Sequence, residues 1–240
     1  MFTLYVEAPF ARFQPFVGGK FRPTQDFIPP SAAYGLVLNI ASIEMREGVG
    51  QQRFTQIDAG LPPLALAIGA LEFPTKHRIL QQLHTYAQNP AGEEKEYAER
   101  CQGHPHKISP CWREFLVGIK AYIAVEAESW LAQRVHDGLA GKLERYGVPF
   151  LGDSNYTVDV LRLVDQVEPA YWYVPVAGNE GGLAQLTRMT VTVDRTDSAK
   201  TVTQLFQPTP KPSHRIPPGA WVSVQYSNVA TKPRQGRKAK

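Results

Sequence analysis

Apolar and polar residues alternate over FTLYVEAPFARF, residues 2–13, which predicts a strand with Phe2, Leu4 and Val6 on one face. A loop with Gly18, Gly19, Pro23 and Pro29 follows, and IPPSAAYGLVLNI then predicts a helix over about 31–42. Pro29 and Pro30 keep its entry extended, and Ser31 is the expected N-cap, its hydroxyl taking a free backbone N–H. Ala32, Ala33 and Gly35 leave the first turns open to close approach, by a sheet beneath them or by a phosphate drawn to the helix N-terminus. In QRFTQIDAGLPPLALAIGALEF two extended pieces are broken at Gly60 and Pro62-Pro63. Alternation resumes in LVGIKAYIAVEAE. SWLAQRVHDGLAGKLERYG then carries Trp130, Leu131, Val135, Leu139 and Leu143 at helical spacing, with Gly147 as the expected C-cap. TVDVLRLVDQV returns as a strand. The β-α-β-β-α-β succession predicts an α+β fold, a ferredoxin-like RNA-recognition domain over residues 1–165.

That succession is interrupted. Residues 73–112 are polar, charged and irregular, and read as an inserted thumb; insertions of this length are usually functional. Within it EEKEYAER is expected to be a solvated face. Residues 166–230 form a β-rich C-terminal extension, with a glycine-containing turn at 178–182 and PPGAWVSVQY as a closing strand. The tail TKPRQGRKAK, 231–240, has five basic residues in ten and no apolar pattern, so it is expected to be disordered when free.

Composition narrows the class. The 240 residues are 43% hydrophobic, with a net charge of +4 and a pI near 9.0, a mild bias towards an acidic partner. Two cysteines make no disulfide framework and suit a reducing compartment. The opening MFTLYVEAPF has a glutamate and no basic stretch, unlike a signal peptide. The longest apolar run, LPPLALAIGAL, is about half of the roughly twenty residues a bilayer span needs, and it holds two prolines. A soluble cytoplasmic protein without membrane contact is expected.

Candidate chemistry is dispersed. Cys101, His104, His106 and Cys111 are zinc-ligand types, but the spacing C-x2-H-x-H-x4-C lacks a distant second pair, and neither metal nor cofactor is expected. G-x-S-x-G, Walker and H-E-x-x-H motifs are absent. His104 and His106 beside Lys107 are types that metal-free RNA cleavage uses, as base and cation. Cations beside rings recur: Arg12 with Phe13, Lys20 and Arg22 about Phe21, His106-Lys107 with Trp112-Arg113, and Arg145 with Tyr146. Cations track phosphates and rings stack on unpaired bases, at roughly 1–3 kcal/mol per stack. Phe13 also suits a core position.

Four stretches resemble a known family: VEAPFARF (6–13), PPSAAYGLVLNI (29–40), HKISPCWREFLVG (106–118) and RYGVPFLGDSNYTVD (145–159). They look like the Cas-five family of CRISPR-associated proteins, in the RAMP superfamily of modified RNA-recognition folds; the last two are closest to its DevS-like, subtype I-B branch. The resemblance implies a non-catalytic subunit of the type I surveillance complex, Cascade. Such a subunit holds the 5′ handle of crRNA, caps the backbone filament, docks the large subunit that reads the motif flanking the target DNA, and folds its thumb over the RNA. Expected RNA contacts are Arg12, Lys20, Arg22, Ser31, Lys107, Arg113, Tyr146 and Asn155. One branch of the family cleaves the repeat with a tyrosine after helix one and a lysine–histidine pair. Here Ala41 and Ser42 follow GLVLNI, Tyr34 lies earlier on the helix, and His106-Lys107 is reversed. Metal-independent repeat cleavage is therefore the alternative expectation, and a binding subunit the first.

Overall fold

The computed structural model describes residues 1–15, 21–47, 56–58, 60–86, 106–176, 185–195 and 197–226; for 83–86 and 106–108 it describes the backbone. The elements are β1 (Phe2–Ala11), β2 (Phe21–Arg22), α1 (Pro30–Ile40), β3 (Arg46–Glu47), β4 (Gln56–Ile57), β5 (Leu64–Ala70), β6 (Thr75–Tyr86), β7 (His106–Glu126), α2 (Ser129–Leu139), β8 (Val160–Val164), β9 (Tyr171–Val176), β10 (Thr187–Thr192), β11 (Val202–Pro208) and β12 (Val222–Val224).

The alternation in β1 does what its period requires: Leu4, Val6 and Ala8 are buried on one face. Strands β8, β1, β7 and β5 lie side by side in that order, each antiparallel to its neighbour. Leu4 and Val6 share one core with Ile119, Ile123 and Val125 of β7, Val37 and Leu38 of α1, and Leu131 and Val135 of α2. Both helices therefore cover the same side of the sheet, and the α+β class is as expected. β9, β11 and β10 continue the sheet beyond β5, and β12 pairs with the start of β5. On the opposite face Ala67, Tyr122, Ala124, Ala170, Trp172 and Ala220 form a second apolar cluster.

Four local expectations are corrected. Ser31 is not the N-cap of α1: Pro29 holds that position, its carbonyl accepts from Ala32 and Ala33 N–H, and no side chain caps the end. Pro30, with its fixed φ, suits the first helical position, so the helix starts before Ser31 and its hydroxyl falls within the first turn. Helix α2 stops at Leu139 rather than reaching Gly147, and Arg145 Nη2 donates to the Gly138 carbonyl at 2.7 Å, closing the helix end. Trp130 is exposed rather than part of the core stripe. The described parts of residues 73–112 are not irregular: β6 pairs with β7 from Thr75↔Val117 to Tyr86↔His106, a long antiparallel ribbon. Its polar sequence reflects exposure on both faces, because little covers it. EEKEYAER, Cys101, His104, the 178–182 turn and the tail lie outside the described residues.

The two helices cross at Gly138. An ideal Cβ there would lie 1.8 Å from the Ile40 carbonyl oxygen, so only hydrogen fits. Arg134 Nε donates to Ala41 O at 2.9 Å and ties α2 to the C-terminal end of α1. Gly138→Ala is therefore expected to destabilise the protein by roughly 1–3 kcal/mol through overpacking, despite a gain in helix propensity of about 1 kcal/mol. Urea denaturation checks this, and a midpoint equal to or above wild type would refute the close crossing.

Candidate nucleic-acid interface

An RNA-recognition domain ordinarily stacks bases on rings of its central strands. Here Tyr5 of β1 and Tyr122 of β7 face each other across that pair, with ring centroids 5.7 Å apart. The platform is largely sealed. Tyr122 is buried and its hydroxyl accepts from Glu168 N–H, while Tyr5 donates to Glu7 Oε2 at 2.7 Å and lies under Arg162, 4.9 Å from the ring centroid. Burial and Glu7 push the Tyr5 hydroxyl up to about 12.

Ligand-ready chemistry gathers instead where β7 leaves the core and enters the ribbon. Arg12 just after β1, Arg22 of β2 and Arg113 of β7 converge there, because β2 runs parallel to β7 with Arg22 opposite Arg113. Asp153 Oδ2 pairs with Arg113 Nη2 and lies 3.6 Å from Arg12 Nη1. Its Oδ1 accepts from Asn155 N–H at 3.2 Å. Arg12 is 3% exposed; Nη1 donates to Gln14 Oε1 at 3.1 Å, while Nε and Nη2 are buried without a partner. Burial first, then the charges of Arg113 and Arg22, weaken its hold on its proton relative to an ordinary arginine. Glu114 is turned towards Thr24, whose N–H lies 3.3 Å from its carboxylate.

Rings surround these cations. Phe10 and Phe115 meet edge to face at 5.7 Å, Tyr156 lies 6.3 Å from both, and His77 of β6 lies 6.1 Å from Phe115. Arg113 sits over the Tyr156 ring at 5.9 Å. Phe10 is 42% exposed, a large share for a ring with two aromatic neighbours. On the ribbon's other face Arg78 covers Trp112 at 5.5 Å, beside Phe21. Sequence reasoning missed Phe10, Phe115, Tyr156 and Asp153. The signal was the spacing Phe10-x-Arg12 and Arg113-x-Phe115, since residues two apart on a strand share a face.

The other expected contacts divide. Ser31 and Tyr146 line a cleft of about 630 Å³ with Gly35, Asn39, Met45 and Arg46, which reaches Gln14 and Gly152 beside Arg12. Tyr146 lies under Arg46 at 5.9 Å, and burial raises its hydroxyl above the usual tyrosine value. Ala32 and Gly35 of α1 thus face this cleft, whereas Ala33 is in the core. Asn155 is exposed beside the arginine cluster. Lys20 and the Lys107 side chain lie outside the described residues. Phe13 is core, 2% exposed. Tyr34, the tyrosine on helix one, is buried and donates its hydroxyl to Pro62 O at 2.8 Å. Cys111 is buried, and no group of three metal-ligating side chains occurs among the described residues. No helix there is long and apolar enough to cross a membrane.

Comparison with known proteins places the architecture. No protein-family model matches the chain, and no curated protein does. One chain of a solved CRISPR RNA-guided surveillance complex shares the fold, with a TM-score of 0.57 and 13% identity over 88% of this chain and 90% of that one. A structure described as a crystal structure of a Cas protein aligns at a TM-score of 0.49 and 13% identity, over 90% of this chain and 97% of that one.

The loop that presents Asp153 depends on Gly152, whose φ is +78° and whose ideal Cβ would lie 2.1 Å from Arg12 O. Gly152→Ala should cost roughly 1–3 kcal/mol from the conformation alone, more with the collision. Chemical denaturation measures it, and an unchanged midpoint would mean the loop does not sit against Arg12.

Proposed function

We propose that this protein is a non-catalytic subunit of a CRISPR RNA-guided effector complex of the Cascade type, binding the 5′ handle of crRNA at the root of the β6–β7 ribbon. The observation that carries the reading is the convergence of Arg12, Arg22 and Arg113 with exposed Phe10 and with Phe115, Tyr156 and His77 on a fold shared with a surveillance-complex chain. Guanidinium groups take phosphates, and rings take splayed bases of single-stranded RNA. The sealed Tyr5–Tyr122 platform turns the RNA away from the sheet face towards this root. The handle would then meet the ribbon, the thumb of the sequence resemblance, which folds over it against the neighbouring backbone subunit. The large subunit, and through it the target DNA beside its flanking motif, would dock on the same assembly in the cytoplasm, as in the subtype I-B branch.

A non-catalytic role is supported by the environment of Tyr34, whose hydroxyl is committed to a backbone carbonyl inside the core. Ala41 and Ser42, which follow α1, supply no phenol in its place.

Incubating purified protein with a labelled repeat RNA in chelator, then splitting the sample between native and denaturing gels, tests both halves. The expected result is shifted, intact RNA, competed preferentially by a handle-length 5′ oligonucleotide. Phe10→Ala should weaken that shift by roughly fivefold or more, the loss of one stacking contact of about 1–3 kcal/mol. A single clean cut would make the protein a processing nuclease; no shift at all would end the binding reading.

A further inference from the structure

We infer that Asp153 is a built-in stand-in for a phosphate: in the free chain its carboxylate occupies an anion site between Arg113 and Arg12, and a backbone phosphate of bound single-stranded RNA displaces it. The inference rests on the RNA-binding reading and adds how that site is kept closed without ligand.

Three features of the cluster carry it. The first is an imbalance of charge. Arg12 and Arg113 share one carboxylate while Arg22 adds a third positive charge beside them, and Glu114 is drawn off to Thr24. The second is an imbalance of hydrogen bonds. Arg12 keeps Nε and Nη2 buried and unpartnered, and these two N–H groups form the side-on fork that receives two oxygens of a carboxylate or phosphate. An unmet buried donor is costly, so these two call for a partner that the free chain does not supply. Asp153 cannot supply that need, because Oδ2 is shared between two arginines and Oδ1 is taken by Asn155 N–H.

The third feature is access. Asp153 and Arg113 side chains are each 16% exposed, whereas Arg12 is 4% exposed beneath them. An anion arriving from solvent meets Arg113 and the carboxylate first, and reaches Arg12 only when the carboxylate swings out. The chain segment is built for that motion at one place. Leu151 is held by Arg12 N–H and by Tyr156 O, and Tyr156 N–H closes back on Asp153 O, so the turn is anchored at its ends while the Asp153 side chain projects from its middle. The adjoining rings of Tyr156, Phe115 and Phe10 lie where the base of the same nucleotide would stack. A phosphodiester with a single negative charge and two free oxygens bridges Arg113 and the Arg12 fork, which one carboxylate oxygen cannot.

The test compares wild type with Asp153→Asn in binding an unstructured single-stranded RNA across a salt series. Removing the internal competitor should tighten binding at low salt by roughly tenfold, the size of one charge-assisted hydrogen bond no longer broken on binding. The gain should vanish in an Arg113→Ala background. Asp159→Asn, an exposed aspartate of the same segment, controls for charge alone and should leave affinity within twofold. Weaker binding by Asp153→Asn would show that the carboxylate merely orients Arg113, and an equal gain from Asp159→Asn would reduce the effect to net charge; either overturns the inference while leaving RNA binding intact. Absence of binding by both wild type and Asp153→Asn would overturn the inference and the reading together. If Asp153→Asn does not fold, the wild-type melting temperature decides: inorganic phosphate should raise it above chloride of equal ionic strength, and should not do so for Arg113→Ala. An equal rise in both proteins is the general salting effect of phosphate and refutes the site.

Discussion

Strand β7 pairs along both of its edges with two strands in succession, and both the core sheet and the candidate site depend on that continuity. Towards its C-terminal end, β1 holds one edge and β5 the other; towards its N-terminal end, β2 and β6 take their places. At about 3.3 Å per residue, 21 residues span roughly 70 Å, far more than a core sheet needs. The inner half is buried and apolar because helices and the second cluster cover it. The outer half is polar because water reaches both its faces. The crossover between those regimes falls at residues 111–117, which is where Cys111 and Leu116 are buried and Trp112 is exposed.

That crossover is also where a cation can be held without being hidden. Inside the sheet an arginine would be fully desolvated; far out on the ribbon it would be screened and free to wander. At the root, Arg113 is fixed by Gln81, Asp153 and the Tyr156 ring yet keeps a face to solvent. Preorganisation of this kind lowers the entropy lost when a phosphate binds.

The core unit was legible in the chain because period-two and period-3.6 patterns have unambiguous partners: Leu4 and Val6 on β1, Leu131 and Val135 on α2. The ribbon was not, since a strand exposed on both faces loses the alternation by which strands are recognised. The site was half legible. Arg12, Arg22 and Arg113 were picked out as cations beside rings, but neighbours in sequence point to opposite faces of a strand, so Phe13 went to the core while Phe10 and Phe115 face the cations' side. The true ring partners come from other segments: Tyr156 for Arg113, Trp112 for Arg78. Such pairings are tertiary and leave no local signature. Ser31 was misjudged for another reason: Pro30 is pre-organised for the first helical position, so the helix begins one residue earlier and the hydroxyl lies inside its first turn.

Net charge of +4 is modest for a chain proposed to hold a polyanion, and the disposition of the cations bears on this. Many are spent on the fold. Arg134 and Arg145 satisfy carbonyls at the ends of the two helices, Lys76 pairs with Asp26, Lys120 with Glu72, and Arg46 with Glu44. Among the described residues, Arg12 and Arg113 instead share the Asp153 carboxylate with Arg22 alongside, in a half-buried setting where screening is weak. A uniformly basic surface would attract any nucleic acid equally. Under the proposed function, a focus of guanidinium groups beside stacked rings would instead favour a strand whose phosphate and base can reach both together, so that register along the RNA would be set by geometry rather than by total charge.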